Sequence, residues 1–519
     1  MNVLDTLVAQ FTDPFACLRE LIQNALDAGS DVVEINTSAS QNGTKQQYVL
    51  EVQDHGCGMD RAIIDSQLTR LFSSSKDGDL TKIGKFGVGF VSVFALQPVA
   101  VCVDTARAGE RWRLVFDQDR SFTRVKLDEP MEGTRVRLFL DEARVKVLGG
   151  TWAGVVTKAR QAVSYWCRHV EKELLFDGQA INRPLELPDH ALTVSRNDGA
   201  GTIVLAGICG TGTPQTIGFY NKGLTLVEAT AWEDLPPDVS VRLSSGWLEH
   251  TLTRDSVLRD DRYLKAMKMV HLVVEEMLLP TALDTLQESA DPKVRAPLVA
   301  WLKGRLDRKH KKRPLFQGVG GTSFSVNDVV DQGCAVISTD DNHAVAVGAA
   351  AAAAGRLVFA VSKVRHRSEA DDLGTLCGVE IGVLTSTMCA TLPLPPEVAP
   401  RAERLGEFTR ALLNDAGLLK GGALALSGVV GGSASVMAYP RLTGSLLKVV
   451  TDKWIPAGDD DVVIDVAHSD VVALLALAAK DTPLAAFLLA KLMLPIPLGA
   501  VQDTALATGT MRLREQGAR

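Results

Sequence analysis

No pair of cysteines in the 519 residues has CxxC spacing; the eight present (Cys17, Cys57, Cys102, Cys167, Cys209, Cys334, Cys377, Cys389) are scattered. This spacing excludes a disulfide framework and a thiolate zinc site, and it points to reduced thiols in a cytoplasmic protein. The nine histidines form no HExxH and no ligand cluster. No apolar run reaches the ~18 residues that span a bilayer. The stretch Val471–Leu494 is broken by Lys480, Asp481, Pro483 and Lys491 and reads as packed helices. The opening MNVLDTLVAQF has no basic segment ahead of an apolar core, so no secretory signal is expected. Positive charge is not in excess either. Sixty-two acidic against 55 basic residues give a net charge of −7, which argues against nucleic-acid binding through bulk charge.

What remains is ordinary globular composition: 46% apolar, 23% charged and only 5% aromatic. The chain is too long for one core, and at roughly 100–200 residues per domain about three domains are expected. Residues 1–142 alternate helix and strand patterns around a glycine-rich centre. A helical stretch near 151–173 precedes a strand-rich segment with turns at Asp177-Gly178, Asn197-Asp198-Gly199 and Asn221-Lys222-Gly223. An amphipathic helix pattern covers 261–278, and another leads to the basic run Arg308–Arg313. A β-α-β unit follows: strand Cys334–Ser338, an alanine-rich helix at 342–354 and strand Arg356–Ser362. The proline-rich segment Leu392–Pro396 marks a linker or rigid turn. Beyond it come a helix, strands around 422–450, and helical patterns at 469–494 and 498–514.

Three short segments carry the chemistry. In Glu20-Leu-Ile-Gln-Asn24-Ala-Leu-Asp27 the offsets 0, 4 and 7 put Glu20, Asn24 and Asp27 on one helix face, while Leu18, Leu21, Ile22 and Ala25 form an apolar stripe. In isolation this also fits a solvated polar face. In Asp54-His-Gly56-Cys-Gly58-Met59 an alternating strand, Tyr48–Val52, ends in a carboxylate beside two glycines. Such a carboxylate can accept from an exocyclic amino group, and bare backbone admits a flat ring. Tight turns share the pattern. In Ile83-Gly84-Lys-Phe86-Gly87-Val88-Gly89-Phe90 glycines precede a helical pattern, offering backbone N–H groups and a helix N-terminus to an anion. Neither a Walker A loop nor a Rossmann fingerprint fits.

Order and spacing together resemble the GHKL ATPase superfamily, which includes ninety-kilodalton heat-shock chaperones, MutL-type repair proteins, type II topoisomerase ATPase subunits, MORC proteins and sensor histidine kinases. The cadence of LRELIQNALDAG, DHGCGMD and IGKFGVGFVSVF is most similar to the heat-shock chaperones of the bacterial high-temperature protein G type. The resemblance implies an α+β chain. Its parts would be a GHKL (Bergerat) α/β sandwich at 1–142, a middle domain at 150–390 and a mixed C-terminal dimerisation domain at 395–519. The middle domain would combine a ribosomal-S5-like part (150–290) with a small α/β part (314–375). It also implies Mg²⁺ and ATP, cleaved to ADP and phosphate. Glu20 then resembles the general base and Asn24 the Mg²⁺ ligand. Asp54 resembles the acceptor of the adenine amino group, with Gly56, Gly58 and Met59 beside it and Thr134, in Glu132-Gly-Thr-Arg-Val136, joining it. Gly84, Phe86, Gly87, Val88, Gly89 and Phe90 would cradle phosphates, and Lys76, in the lid-like segment 71–79, would reach the γ-phosphate.

Downstream, Leu252-Thr-Arg254-Asp-Ser256 resembles the turn from which chaperones of this type send an arginine to the γ-phosphate. Arg254 fits that place, with Arg259 and Arg262 as nearby competitors. A Gln-Thr-Lys-like loop of the MutL kind is not found. Val462–Val472 resembles the strand-to-helix segment of the dimerisation domain, where His468 and Asp470 read as a helix start capped by Ser469 rather than as metal ligands. The resemblance therefore implies a homodimeric chaperone clamp acting on client proteins, without a membrane. A MORC- or MutL-like clamp on nucleic acid, acting in genome defence, is the alternative; its support is the lid segment and the basic run.

Overall fold

The computed structural model describes residues 8, 13–42, 45–69, 89–251, 256–289, 291–321, 323–338, 340–361, 366–453, 456, 459–494 and 498–517. It is a mixed α+β structure that divides into two compact units, Met1–Thr281 and Ala282–Arg519. No helix among the described residues is long and apolar enough to cross a membrane.

In the first unit, Asp13 accepts the Phe15 N–H at 3.0 Å and Pro14 opens a 3₁₀ turn. That turn runs into α1 (Cys17–Asp27), whose stripe of Leu18, Leu21, Ile22 and Ala25 is buried. Gly29, at φ +80°, ends the helix in the left-handed region that glycine adopts without strain. Strands β1 (Val32–Asn42) and β2 (Lys45–Asp54) form a hairpin, followed by β3 (Ala100–Arg107), β4 (Glu110–Asp117), β5 (Phe122–Lys126) and β6 (Gly133–Leu140). Helices α2 (Glu142–Gly149) and α3 (Trp152–Cys167) lead to β7 (Glu173–Phe176) and β8 (Gln179–Ala180). The eight strands make one sheet in the order β5-β4-β3-β6-β2-β1-β7-β8.

The two faces of this sheet differ as alternation demands. Leu50, Val52, Val101, Val103, Val136 and Leu138 point into a core shared with α1 and α3. On the other face, buried Asp104 accepts from Arg113 Nε at 2.6 Å and Nη2 at 2.9 Å, and from Arg137 Nη2. That charge is buried but fully engaged. A second sheet, of β9 (His190–Asn197), β10 (Thr202–Cys209), β11 (Ile217–Asn221), β12 (Leu224–Ala229) and β13 (Val239–Ser245), runs in the order β12-β11-β13-β10-β9. Helix α4 (Asp261–Val273) is capped by Asp260 and buries Tyr263, Met267 and Val270. The helix expected over 261–278 continues through a π turn, Val274–Leu278.

In the second unit, strands Ala335–Ser338, Val358–Val361 and Gly382–Val383 form a parallel sheet. The alanine-rich helix Asn342–Ala353 packs on it so closely that a β-carbon on Gly348 would stand 2.9 Å from the Ile337 side chain. Ala344, Ala350 and Ala351 are buried on the same helix. Five further strands, Met388–Leu392, Leu424–Val430, Ala438–Thr443, Leu446–Lys448 and Val462–Asp465, close into a barrel around Cys389, Tyr439, Leu447 and Val463. Helices Ala399–Asp415, Ser469–Ala478, Thr482–Leu492 and Ala500–Gly517 bury a separate leucine-rich core. The helix at 469 is capped differently from the expectation: the His468 ring, not Ser469, accepts the Asp470 N–H at 3.3 Å. His468 has the extended conformation of an N-cap, so its Nδ1 reaches the first free N–H groups.

Candidate functional site

Asp54 is the last residue of β2, and the sheet register sets Asp54, Thr134 and Thr105 side by side on β2, β6 and β3. The Asp54 carboxylate is buried, and its Oδ1 accepts the Gly56 N–H at 2.9 Å and the Thr134 N–H at 3.2 Å. Its Oδ2 accepts no hydrogen bond among the described residues and remains available to an incoming donor. Burial pushes the carboxyl above its ordinary range, and the two N–H groups pull back against that.

The loop after Asp54 is shaped by close backbone approaches. Gly56 lies on the end of α1, where a β-carbon would stand 2.7 Å from Ala28 Cβ, and the Cys57 N–H donates to the Ala28 carbonyl at 2.9 Å. Gly58, at φ +58°, would overlap the Ala106 carbonyl with any side chain. Gly133, at φ +68°, stands just as close to the Asp54 carbonyl. The glycines of the Asp-x-Gly-x-Gly pattern therefore have a packing reason of their own. The Met59 N–H donates to Thr105 Oγ1 at 2.8 Å, and Thr105 Oγ1 lies 3.1 Å from Thr134 Oγ1. Thr105 and Ser30, whose Oγ accepts the His55 N–H at 2.9 Å, carry no motif, and sequence reasoning did not single them out; Ala28 lies in the LRELIQNALDAG segment but was given no role of its own.

Helix α1 spans from this end of the site to the other. Glu20 is buried and Asn24 half-buried, with Asp27 exposed beyond them on the same face. A β-carbon on Gly89 would stand 2.8 Å from Glu20 Oε2, so the start of the helical segment 89–91 abuts the Glu20 carboxylate. Glu20 and Ala28 are about 12 Å apart along the axis at 1.5 Å per residue. Thus α1 bridges the Gly89 end and the Asp54–Gly56 end. Phe90 packs into the core against Phe116, ring centroids 5.5 Å apart. Lys76, Gly84, Phe86, Gly87 and Val88 lie outside the described residues, as does Arg254.

The two arginines near Arg254 are engaged elsewhere. Arg259 pairs with Glu233 and stacks over Trp232 at 5.2 Å and Tyr263 at 5.9 Å. Arg262 donates to Glu249 at 3.0 Å. The Thr251 N–H donates to the Ser256 carbonyl at 2.9 Å, and His250 pairs with Val257 in an isolated antiparallel bridge.

As for metal, no group of three His, Cys, Asp or Glu side chains among the described residues is placed to hold an ion. Asn24 offers a single amide oxygen, a hard donor that suits a magnesium ion held mainly by phosphates and water rather than by a protein cage.

The carboxylate at the strand end and the second carboxylate on α1 both lie in the stretch that matches a family model of the GHKL class. Residues 12–132 match the family described as histidine kinase-, DNA gyrase B-, and HSP90-like ATPase. Within that class the similarity is to bacterial chaperones. The chaperone protein HtpG of Anaplasma phagocytophilum (strain HZ) is 36% identical over 160 residues, covering 25% of this chain and 25% of that protein. HtpG of Nitrobacter hamburgensis (strain DSM 10229 / NCIMB 13809 / X14) is 33% identical over 165 residues, covering 25% and 26%. HtpG of Rhodospirillum rubrum is 29% identical over 222 residues, covering 35% and 34%. The chain thus spans about a quarter to a third of the length of these curated relatives.

Proposed function

We propose that the chain is an ATP-dependent, HSP90-type chaperone: a homodimeric clamp that binds and hydrolyses Mg·ATP to remodel client proteins. In this reading residues 1–142 bind nucleotide, 150–390 form the middle domain and 395–519 dimerise. The observation that carries it is the frame made by α1, with Glu20 against Gly89 at one end and Ala28 against Gly56, beside Asp54, at the other. The similarity to HtpG supports the chaperone side of the reading.

Asp54 Oδ2 takes the purine amino group, and Thr134 supplies a hydroxyl next to it. The glycine-rich amides up to Gly89 and Phe90 meet the phosphates, where fixed N–H dipoles are worth most as charge builds on the transferred group. Glu20 orients the attacking water and takes its proton. Asn24 would hold magnesium, which neutralises phosphate charge. Arg254, assigned from its motif, would add a guanidinium to the γ-phosphate.

ATP turnover and nucleotide affinity of the wild type, Glu20→Ala and Asp54→Asn test the reading. Glu20→Ala should bind ATP but hydrolyse it about 10²–10⁴-fold more slowly, the usual size of a general-base contribution. Asp54→Asn should not bind. Turnover stimulated by unfolded protein but insensitive to DNA favours a chaperone. A wild type that takes up no adenine nucleotide in magnesium buffer removes the proposal.

A further inference from the structure

A hydroxyl has one proton to give and two lone pairs to accept with, so a chain of hydroxyls has a direction. At Thr105 that direction is constrained. The side chain is fully buried on β3, and its Oγ1 already accepts the Met59 N–H at 2.8 Å. Its own proton has two acceptors in reach: Thr134 Oγ1 at 3.1 Å and the Gly133 carbonyl at 3.4 Å. The nearer one is the better hydrogen bond. Thr134 Oγ1 has no other partner among the described residues, and it is half-buried where Thr105 is enclosed.

We infer that Thr105 is a positioning residue that fixes the Thr134 hydroxyl as a donor toward the base, so that the pocket reads a 6-aminopurine against a 6-oxopurine. This rests on the adenine-nucleotide reading of the site. Met59 N–H gives to Thr105, and Thr105 gives to Thr134. The Thr134 proton is therefore left pointing away from Thr105. Beside it, Asp54 presents Oδ2, with Oδ1 taken by Gly56 and Thr134 N–H groups. An acceptor next to a donor matches the amino group and N1 of adenine, met directly or through one water. Hypoxanthine reverses both: its O6 faces a carboxylate and its N1–H faces a hydroxyl proton. Without the Thr105 hydroxyl, the Thr134 proton can turn back and its oxygen can accept N1–H, so half of the mismatch disappears.

Equilibrium binding of ATP and inosine triphosphate to the full chain, with a thermal melt for each variant, tests this. Wild type should prefer ATP. Thr105→Val should lower the ATP-to-inosine-triphosphate affinity ratio about tenfold, the worth of one hydrogen bond turned from matched to mismatched. Thr105→Ser should restore the ratio. In a Thr134→Val background, Thr105→Val should change the ratio no further. If Thr105→Val does not fold, Thr105→Cys, of similar volume and a weak donor, serves in its place. Equal loss of both nucleotides, or no rescue by serine, overturns the positioning role while leaving the ATP site standing. A wild type that binds neither nucleotide overturns both.

Discussion

Gly89 has no side chain because Glu20 occupies the space: a β-carbon there would lie 2.8 Å from Glu20 Oε2. Gly89→Ala must push the carboxylate aside, and the obstacle is the far end of a flexible side chain rather than backbone. Folding should therefore survive, with the melting temperature little changed. The misplaced carboxylate should cost turnover at least about tenfold, since small displacements of a catalytic group are expensive. ATP affinity should stay within about threefold of wild type by the same reasoning, because the base acts on the water and not on the nucleotide. Phosphate release and equilibrium binding, measured side by side, check the split.

Asp54 links function to an acid-dependent stability cost. Burial raises its carboxyl pKa above 3.8, and the Gly56 and Thr134 N–H groups only partly offset this. A raised pKa means the folded state holds the proton more tightly than the unfolded chain does. This contribution is fully present below pH 3.8 and is lost as pH rises through the folded value. Asparagine keeps an oxygen for both N–H groups and never ionises. Nucleotide-free Asp54→Asn should thus be more stable than wild type at neutral pH. The gap should shrink as pH falls toward and below 3.8. Chemical denaturation across that range checks the sign, and an unchanged gap would contradict it.

The parts of the fold and of the site that were legible in the sequence are local ones. The α1 stripe, the strand ending at Asp54 and the helix Asn342–Ala353 follow from periodicity and from short-range chemistry that neighbouring residues complete. The parts that stayed hidden are built by distant segments. Thr105 meets partners 46 and 29 positions away, and a buried threonine on a strand looks like any β-branched filler. Parallel pairing of β1 with β7 joins segments separated by all the intervening strands and helices, and barrel closure depends on Leu424–Val430 pairing with Val462–Asp465. Nothing in the local pattern specifies either register. At the helix starting with Ser469 local chemistry misled, because the preceding histidine could also supply an acceptor.

His169 lies just past α3, with its ring 5.2 Å from that of Tyr220 on β11. Its Nε2 faces Arg168 Nε at 3.0 Å and Arg242 Nη1 at 2.7 Å, and its Nδ1 lies 3.0 Å from the Arg183 carbonyl. Two guanidiniums can only donate, so Nε2 accepts and Nδ1 carries the proton in a neutral ring. Burial first, then Arg242 and Arg168, hold its pKa below 6.5, against the Arg183 carbonyl and Glu228. The depressed value means stability is full above pH 6.5 and is lost as pH falls through the folded pKa, since the unfolded chain takes the proton first. Urea midpoints should therefore drop between pH 7.5 and 5 more steeply for wild type than for His169→Gln.

In the second unit, Arg295 is 8% exposed and donates to Asp372 at 3.1 Å and to the Leu286 and Ser289 carbonyls at 2.7 and 3.1 Å. Burial pushes the Asp372 carboxyl up while Arg295 pulls it back. Removing the cation leaves a half-buried carboxylate and two carbonyls without their donor. Arg295→Ala should accordingly cost about 3–5 kcal/mol, the range for breaking a buried pair from one side. Asp372→Asn should cost less, because its amide oxygen still accepts from Arg295 and both carbonyl bonds remain. The double variant Arg295→Met with Asp372→Asn should be milder than Arg295→Ala, since no charge is then left unpaired. Equilibrium unfolding of the three variants ranks them, and an Arg295→Ala no worse than Asp372→Asn would show that the pair is not what holds helix Pro292–Leu302 to helix His366–Cys377.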